Sequence, residues 1–127
     1  NHKMHKTMDK DLKKLKPELL WTRFSEICAV PRPSHHEEKI REYIIDLAKR
    51  HNLDYTVDAG PNIIIRKPAT PGMENRKTVV LQAHLDMVPQ KNSDKEFDFE
   101  KDGIEAYIDG DWVTANGTTL GADRTER

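Results

Sequence analysis

Apolar residues recur along the first third of the chain with the period of a helix. Leu20, Phe24, Ile27 and Cys28 stand at offsets of four, seven and eight and form one stripe. Pro17 suits the start of that helix, where a missing N–H has no bond to lose. Pro31 and Pro33 stop it. Ser34-His35-His36-Glu37 then has the form of a capping box, in which Ser34 caps a backbone N–H and Glu37 reaches back. Ile40, Tyr43, Ile44, Leu47 and Ala48 carry a second helical stripe to about Arg50. His35 and His36 fall in its first turn, where solvent exposure is the better expectation than metal ligation.

After His51-Asn52 the period changes. Tyr55 and Val57 alternate with polar neighbours, Gly60-Pro61-Asn62 turns, and Ile63-Ile64-Ile65 resumes, which predicts a hairpin. Pro68, Pro71 and Gly72 mark a loop. Residues 77–82 form the next strand, and the unbroken Val79-Val80-Leu81 predicts burial on both faces, as in a central strand. Residues 89–103 are charged and read as loop. Tyr107-Ile108 and Trp112-Val113 flank Asp109-Gly110-Asp111, a good hairpin turn. The Gly-rich and Thr-rich residues 117–123 read as a further loop. The pattern as a whole predicts an α/β fold, with two helices on one side of a mixed β-sheet.

Composition narrows this picture. The chain has 127 residues, enough for one ordinary domain. Its hydrophobic fraction of 35% plus 6 glycines gives roughly 40%, against a usual ~45–50%. The core is therefore thin for the length, which fits either a highly charged surface or apolar contacts made with further chain. A net charge of −1 gives no electrostatic case for nucleic acid or acidic membranes. The basic residues between Lys10 and Lys16 read as a solvated helical face. No apolar run approaches the ~20 residues of a membrane span. The single cysteine, Cys28, excludes an internal disulfide framework and falls on the apolar side of the first helix, as a small core residue would. A soluble, reducing, cytoplasmic setting is expected. Residues 1–7, with His2 and His5, read as a polar tail without function.

The candidate chemistry sits in TVVLQAHLDMVPQKN, residues 78–92. In open α/β sheets ligands collect beyond the carboxyl ends of strands. His84 lies where the apolar strand runs out, and Asp86, two residues on, points to the same side if the strand continues. A metal-bound imidazole needs an acceptor on its other nitrogen, which a nearby carboxylate provides. His-x-Asp at a strand end therefore suits a ligand and its partner. The same pair also suits a surface ion pair beside a loop.

The longer context is more specific. VVLQAHLDMVPQKN, followed by YIDGDWVTANGTTLGAD and preceded by LLWTRFSEICAVPRPSHHEEKIREYI, resembles the aminoacyl-histidine dipeptidases. These are bacterial cytosolic Xaa-His or nonspecific dipeptidases of the two-zinc aminoacylase and carboxypeptidase family. The resemblance runs from about Leu15 to Asp123. It implies that His84 binds one zinc, that Asp86 orients His84, and that Asp123 bridges two metals. Two Zn2+ per complete site are implied, with Co2+ or Mn2+ as substitutes. The implied substrate is a dipeptide and the implied complete enzyme a homodimer, with no nucleic-acid or membrane partner.

After Asp123 the family continues with an asparagine and a Gly-containing helix start, whereas this chain reads Arg124-Thr125-Glu126-Arg127. The family's general-base glutamate and remaining ligands lie further downstream and have no counterpart here. The resemblance thus divides the chain into a tail (1–7), the N-terminal part of a metallopeptidase catalytic domain (8–123) and a divergent end (124–127). It implies a truncated, inactive piece of a dipeptidase. The competing expectation is a non-catalytic α/β module that binds a protein partner through an exposed sheet edge.

Overall fold

A computed structural model describes residues 8–121 of the protein. The tail 1–7 with His2 and His5, and residues 122–127 with Asp123 and the divergent end, lie outside the described residues. A short 3-10 turn, Leu12–Lys14, is followed by α1 (Glu18–Ala29) and α2 (Glu38–Arg50). Two hairpins complete the fold, β1 (Asp54–Val57) with β2 (Ile63–Arg66) and β3 (Ala106–Asp109) with β4 (Trp112–Ala115). The α/β class agrees with the expectation, and both helices and both hairpins form where the periodicity places them.

Local chemistry explains the boundaries. Pro17 is the N-cap of α1, with extended φ/ψ, one residue before the first helical position. The β1–β2 register pairs Thr56 with Ile64 and Val57 with Ile63. Asp58 closes that hairpin, its Oδ1 accepting from the backbone N–H of Gly60 at 3.0 Å and of Asn62 at 2.7 Å. In the second hairpin Asp109 faces Trp112, leaving Gly110-Asp111 as a two-residue turn. Gly110 holds φ 58 there, the left-handed region that such a turn requires.

Four expectations need correction. Among the described residues the sheet is not one mixed layer but two separate two-stranded antiparallel ladders. Residues 77–82 belong to neither, and Val79, Val80 and Leu81 are 77%, 85% and 92% exposed. An apolar run states what a strand requires, not what lies beside it, and neither hairpin extends to this run. The capping box is also absent: α2 begins at Glu38 with Glu37 as its N-cap and no side-chain cap, His35 holds φ 71, and the Ser34 hydroxyl bonds Asp86 instead. Glu37 does reach back, but to the N–H of His35 at 3.1 Å. Leu20, finally, is 54% exposed, so the buried side of α1 is carried by Phe24 and Cys28.

The core gathers Leu12, Cys28, Met87, Ile104 and Ala106, with Phe24, Phe97, Phe99 and Leu120 packed around them. Burial pushes the Cys28 thiol up to about 11, the behaviour of an inert core residue. α2 buries Ile40 and Ala48 and packs on the first hairpin. Met87 is the member that matters for the site, since it anchors the segment carrying His84 and Asp86 in this core.

Candidate functional site

The segment immediately after α1 organises the site. Val30-Pro31-Arg32-Pro33 is held extended, because each proline fixes its own φ and biases the residue before it. Pro33 has no N–H, yet it forms a parallel bridge with Met87 that needs none. The Met87 N–H donates to the Arg32 carbonyl at 2.8 Å, and the Ser34 N–H donates to the Met87 carbonyl at 3.1 Å. These bonds and the burial of Met87 fix the path of residues 85–87.

His84 and Asp86 meet on that path. The His84 Nδ1 lies 2.9 Å from Asp86 Oδ1 and 2.9 Å from the Asp86 carbonyl oxygen. Both partners are acceptors, so Nδ1 carries a proton and points it at Asp86. The other carboxylate oxygen, Oδ2, accepts from the Ser34 hydroxyl at 2.6 Å. This bond to Ser34 is the main reason the Asp86 pKa lies below its ordinary value; partial burial opposes it, and His84 adds to it. The carboxylate is held ionised with both oxygens engaged. His84 itself has a half-exposed side chain.

Arg32 and Ser34 are functional candidates that periodicity could not reveal. Arg32 is 5% exposed. Its Nη1 donates to the carbonyls of Leu85 at 3.0 Å and Asp86 at 3.2 Å, while Nη2 donates to the carbonyl of Gly121 at 2.7 Å. Burial lowers the guanidinium pKa from its ordinary value.

Gly121 arrives at this point because residues 117–121 run beside 88–92. The Thr119 N–H donates to Gln90 at 2.9 Å, the Thr119 hydroxyl to Val88 at 2.7 Å, and Asn92 to Gly117 at 2.7 Å. Gly121 has φ 75, and a Cβ there would lie 2.9 Å from Met87 Cγ and collide with the Arg32 guanidinium. The structure thus pairs His84 with Asp86 and, through Arg32, ties the Asp86 carbonyl to that of Gly121. Asp123, two residues later in sequence, lies outside the described residues. His35 and His36 are exposed, and His36 Nε2 pairs with Glu100 at 3.2 Å.

The donor set suits a metal at His84: an imidazole with a carboxylate on Nδ1. No group of three or more His, Cys, Asp or Glu side chains among the described residues is arranged to hold one. A groove of about 860 Å3 separates α2 and β2 from residues 78–86. Its walls include the unpaired apolar run itself, which makes it a gap between β2 and an unpaired segment rather than a cleft with convergent polar groups.

No protein-family model matches the chain. The cytosol non-specific dipeptidase of Escherichia coli (strain K12) is 60% identical over 113 residues, 89% of this chain. The crystal structure of the aminoacylhistidine dipeptidase from Vibrio alginolyticus superposes with a TM-score of 0.86 at 56% identity, again over 89% of this chain. The chain is a homologue of these dipeptidases. It spans 23% of the length of each. The likeness to the dipeptidase structure covers the two helices and small antiparallel sheets described above.

Proposed function

We propose that this chain carries the His84 side of a dipeptidase metal centre, in a protein that hydrolyses dipeptides of the Xaa-His type in the cytosol. The observation that carries the reading is the His84–Asp86 pair, Nδ1 to Oδ1 at 2.9 Å, in a chain 60% identical to a dipeptidase. His84 offers Nε2 as a zinc donor, and Asp86 fixes the ring's orientation and raises its basicity. Asp123 is the proposed bridging carboxylate between two metals. Zinc bound here, or Co2+ or Mn2+ in its place, supplies a water of lowered pKa and polarises a peptide carbonyl.

His84 and Asp123 are two donors, fewer than the three protein ligands usual at one catalytic zinc. A residue to move the proton to the leaving amine is also unassigned on this chain. The 127 residues alone are therefore proposed to be a poor catalyst. General-base catalysis by itself is typically worth about 10²–10⁴-fold.

The test is to purify the chain, supply zinc, and assay an Xaa-His dipeptide beside the Escherichia coli dipeptidase. The chain is expected to be slower by at least about that 10²–10⁴-fold factor. Comparable turnover would overturn the view that donors are lacking. Zinc uptake measured on His84→Ala checks the ligand assignment, which fails if the variant holds as much metal as the parent chain.

A further inference from the structure

We propose that Arg32 is a positioning residue for this centre: its buried guanidinium clamps the loop bearing His84 and Asp86 to the loop leading to Asp123, and thereby fixes the His84 imidazole in its Nδ1–H form. The inference rests on the reading of His84 as a metal donor. Its geometry is independent of that reading.

The link from Arg32 to His84 is direct. The Asp86 carbonyl oxygen accepts from Arg32 Nη1 at 3.2 Å and lies 2.9 Å from His84 Nδ1. One oxygen therefore serves both groups, and its position is set by the arginine. The adjoining Leu85 carbonyl, held by the same Nη1 at 3.0 Å, prevents the peptide from rotating away. Nη2 reaches in the other direction to Gly121 at 2.7 Å. A planar fork with fixed donor directions can tie two loops in this way, whereas a lysine ammonium reaches as a point charge.

A purely structural staple would not need this chemistry. Burying a guanidinium is costly, and the buried Nε has no hydrogen-bond partner among the described residues. An apolar side chain could fill the space against Met87 and Gly121 without leaving a donor unpaired. It could not fix the Asp86 carbonyl beneath the histidine. The cramped glycine supports the same reading, since a Cβ at Gly121 would collide with the guanidinium.

The experiment tracks the His84 ring nitrogens by 1H–15N NMR in metal-free protein, at one fixed pH of about 8, above the ordinary histidine range. Co2+ binding is then measured by visible absorption. The parent chain is expected to show the Nδ1–H tautomer. Arg32→Lys is expected to move the ring toward a mixture containing the Nε2–H form and to weaken Co2+ binding about 10–100-fold. Ile40→Val, a core change remote from this loop in sequence, is the control, lowering the melting temperature without altering the His84 signature.

A folded Arg32→Lys chain with the parent tautomer signature overturns the proposal. Should Arg32→Lys fail to fold, Gly121→Ala is read in the same way, because it displaces the guanidinium from the other side. An unchanged signature there overturns the proposal equally. If the parent chain takes up no Co2+ while Arg32→Lys still changes the tautomer, the clamp is upheld and the chain alone is rejected as a metal site.

Discussion

Residues 78–83 and 85–87 are neighbours in one sequence motif, and their environments are opposite. In the first, Val79, Val80 and Leu81 are largely exposed, and the backbone joins no ladder. In the second, Met87 is 3% exposed, its N–H and carbonyl are both paired with residues 32 and 34, and an arginine holds the two carbonyls before it. The apolar run is the stronger strand signal of the two, yet the shorter segment is the one that is buried and paired. Hydrophobicity creates a demand for burial, but only a specific partner satisfies the backbone groups that burial would strand. The short segment has such a partner within this chain.

Paired truncations test the contrast most sharply. Met87→Ala is expected to destabilise the chain by about 2–5 kcal/mol, the usual range for a buried large side chain. Leu81→Ala, at a position 92% exposed, is expected to stay within about 0.5 kcal/mol. Urea unfolding of both variants provides the comparison. A cost for Leu81→Ala as large as for Met87→Ala would mean that residues 77–82 are buried after all, as their sequence suggests.

The same contrast explains what could be read from the sequence. The hairpin at Asp109-Gly110-Asp111 and the start of α1 at Pro17 were legible because each depends on residues adjacent in the chain. Residues 77–82 were misread because strand pairing is non-local. Ser34 was misread for a related reason: its hydroxyl can cap a helix three residues away or reach a carboxylate 52 residues away, and Asp86 wins. A charge-assisted bond of that kind is roughly twice as strong as a neutral cap. The His84–Asp86 pair was legible from its spacing, whereas the Arg32 clamp behind it is built from contacts 53 to 89 residues distant.

Ser34→Ala should therefore act on the site rather than on α2. The substitution removes the 2.6 Å bond to Asp86 Oδ2 and is expected to cost about 1 kcal/mol, discounted for the partly exposed carboxylate. Amide exchange should speed up at residues 84–87 and stay unchanged in the first turn of α2. Faster exchange confined to α2 would restore the capping-box reading.

The smallest expected effect lies between the helices, a region tied by side chains alone and so intermediate between the two segments. The Tyr43 hydroxyl donates to Glu26, and Arg23 pairs with the same carboxylate at 3.1 Å. The Tyr43 bond is the main cause that holds Glu26 below its ordinary value of 4.5, against partial burial. Burial, then Glu26, pushes Tyr43 from 10.0 up to about 12. Linkage sets the signs. Glu26 contributes stability that is present above its unfolded value and lost as pH falls through the lowered folded one. Tyr43 contributes stability that is complete below 10.0 and lost as pH rises through about 12. Tyr43→Phe should cost at most about 1 kcal/mol near neutral pH. In a series of urea titrations, the gap between parent and variant should close at both extremes, first narrowing below the ordinary glutamate range and again above the ordinary tyrosine range. A gap that stays constant across the acid limb would show that the carboxylate does not draw its stabilisation from Tyr43, leaving Arg23 as the group that holds it.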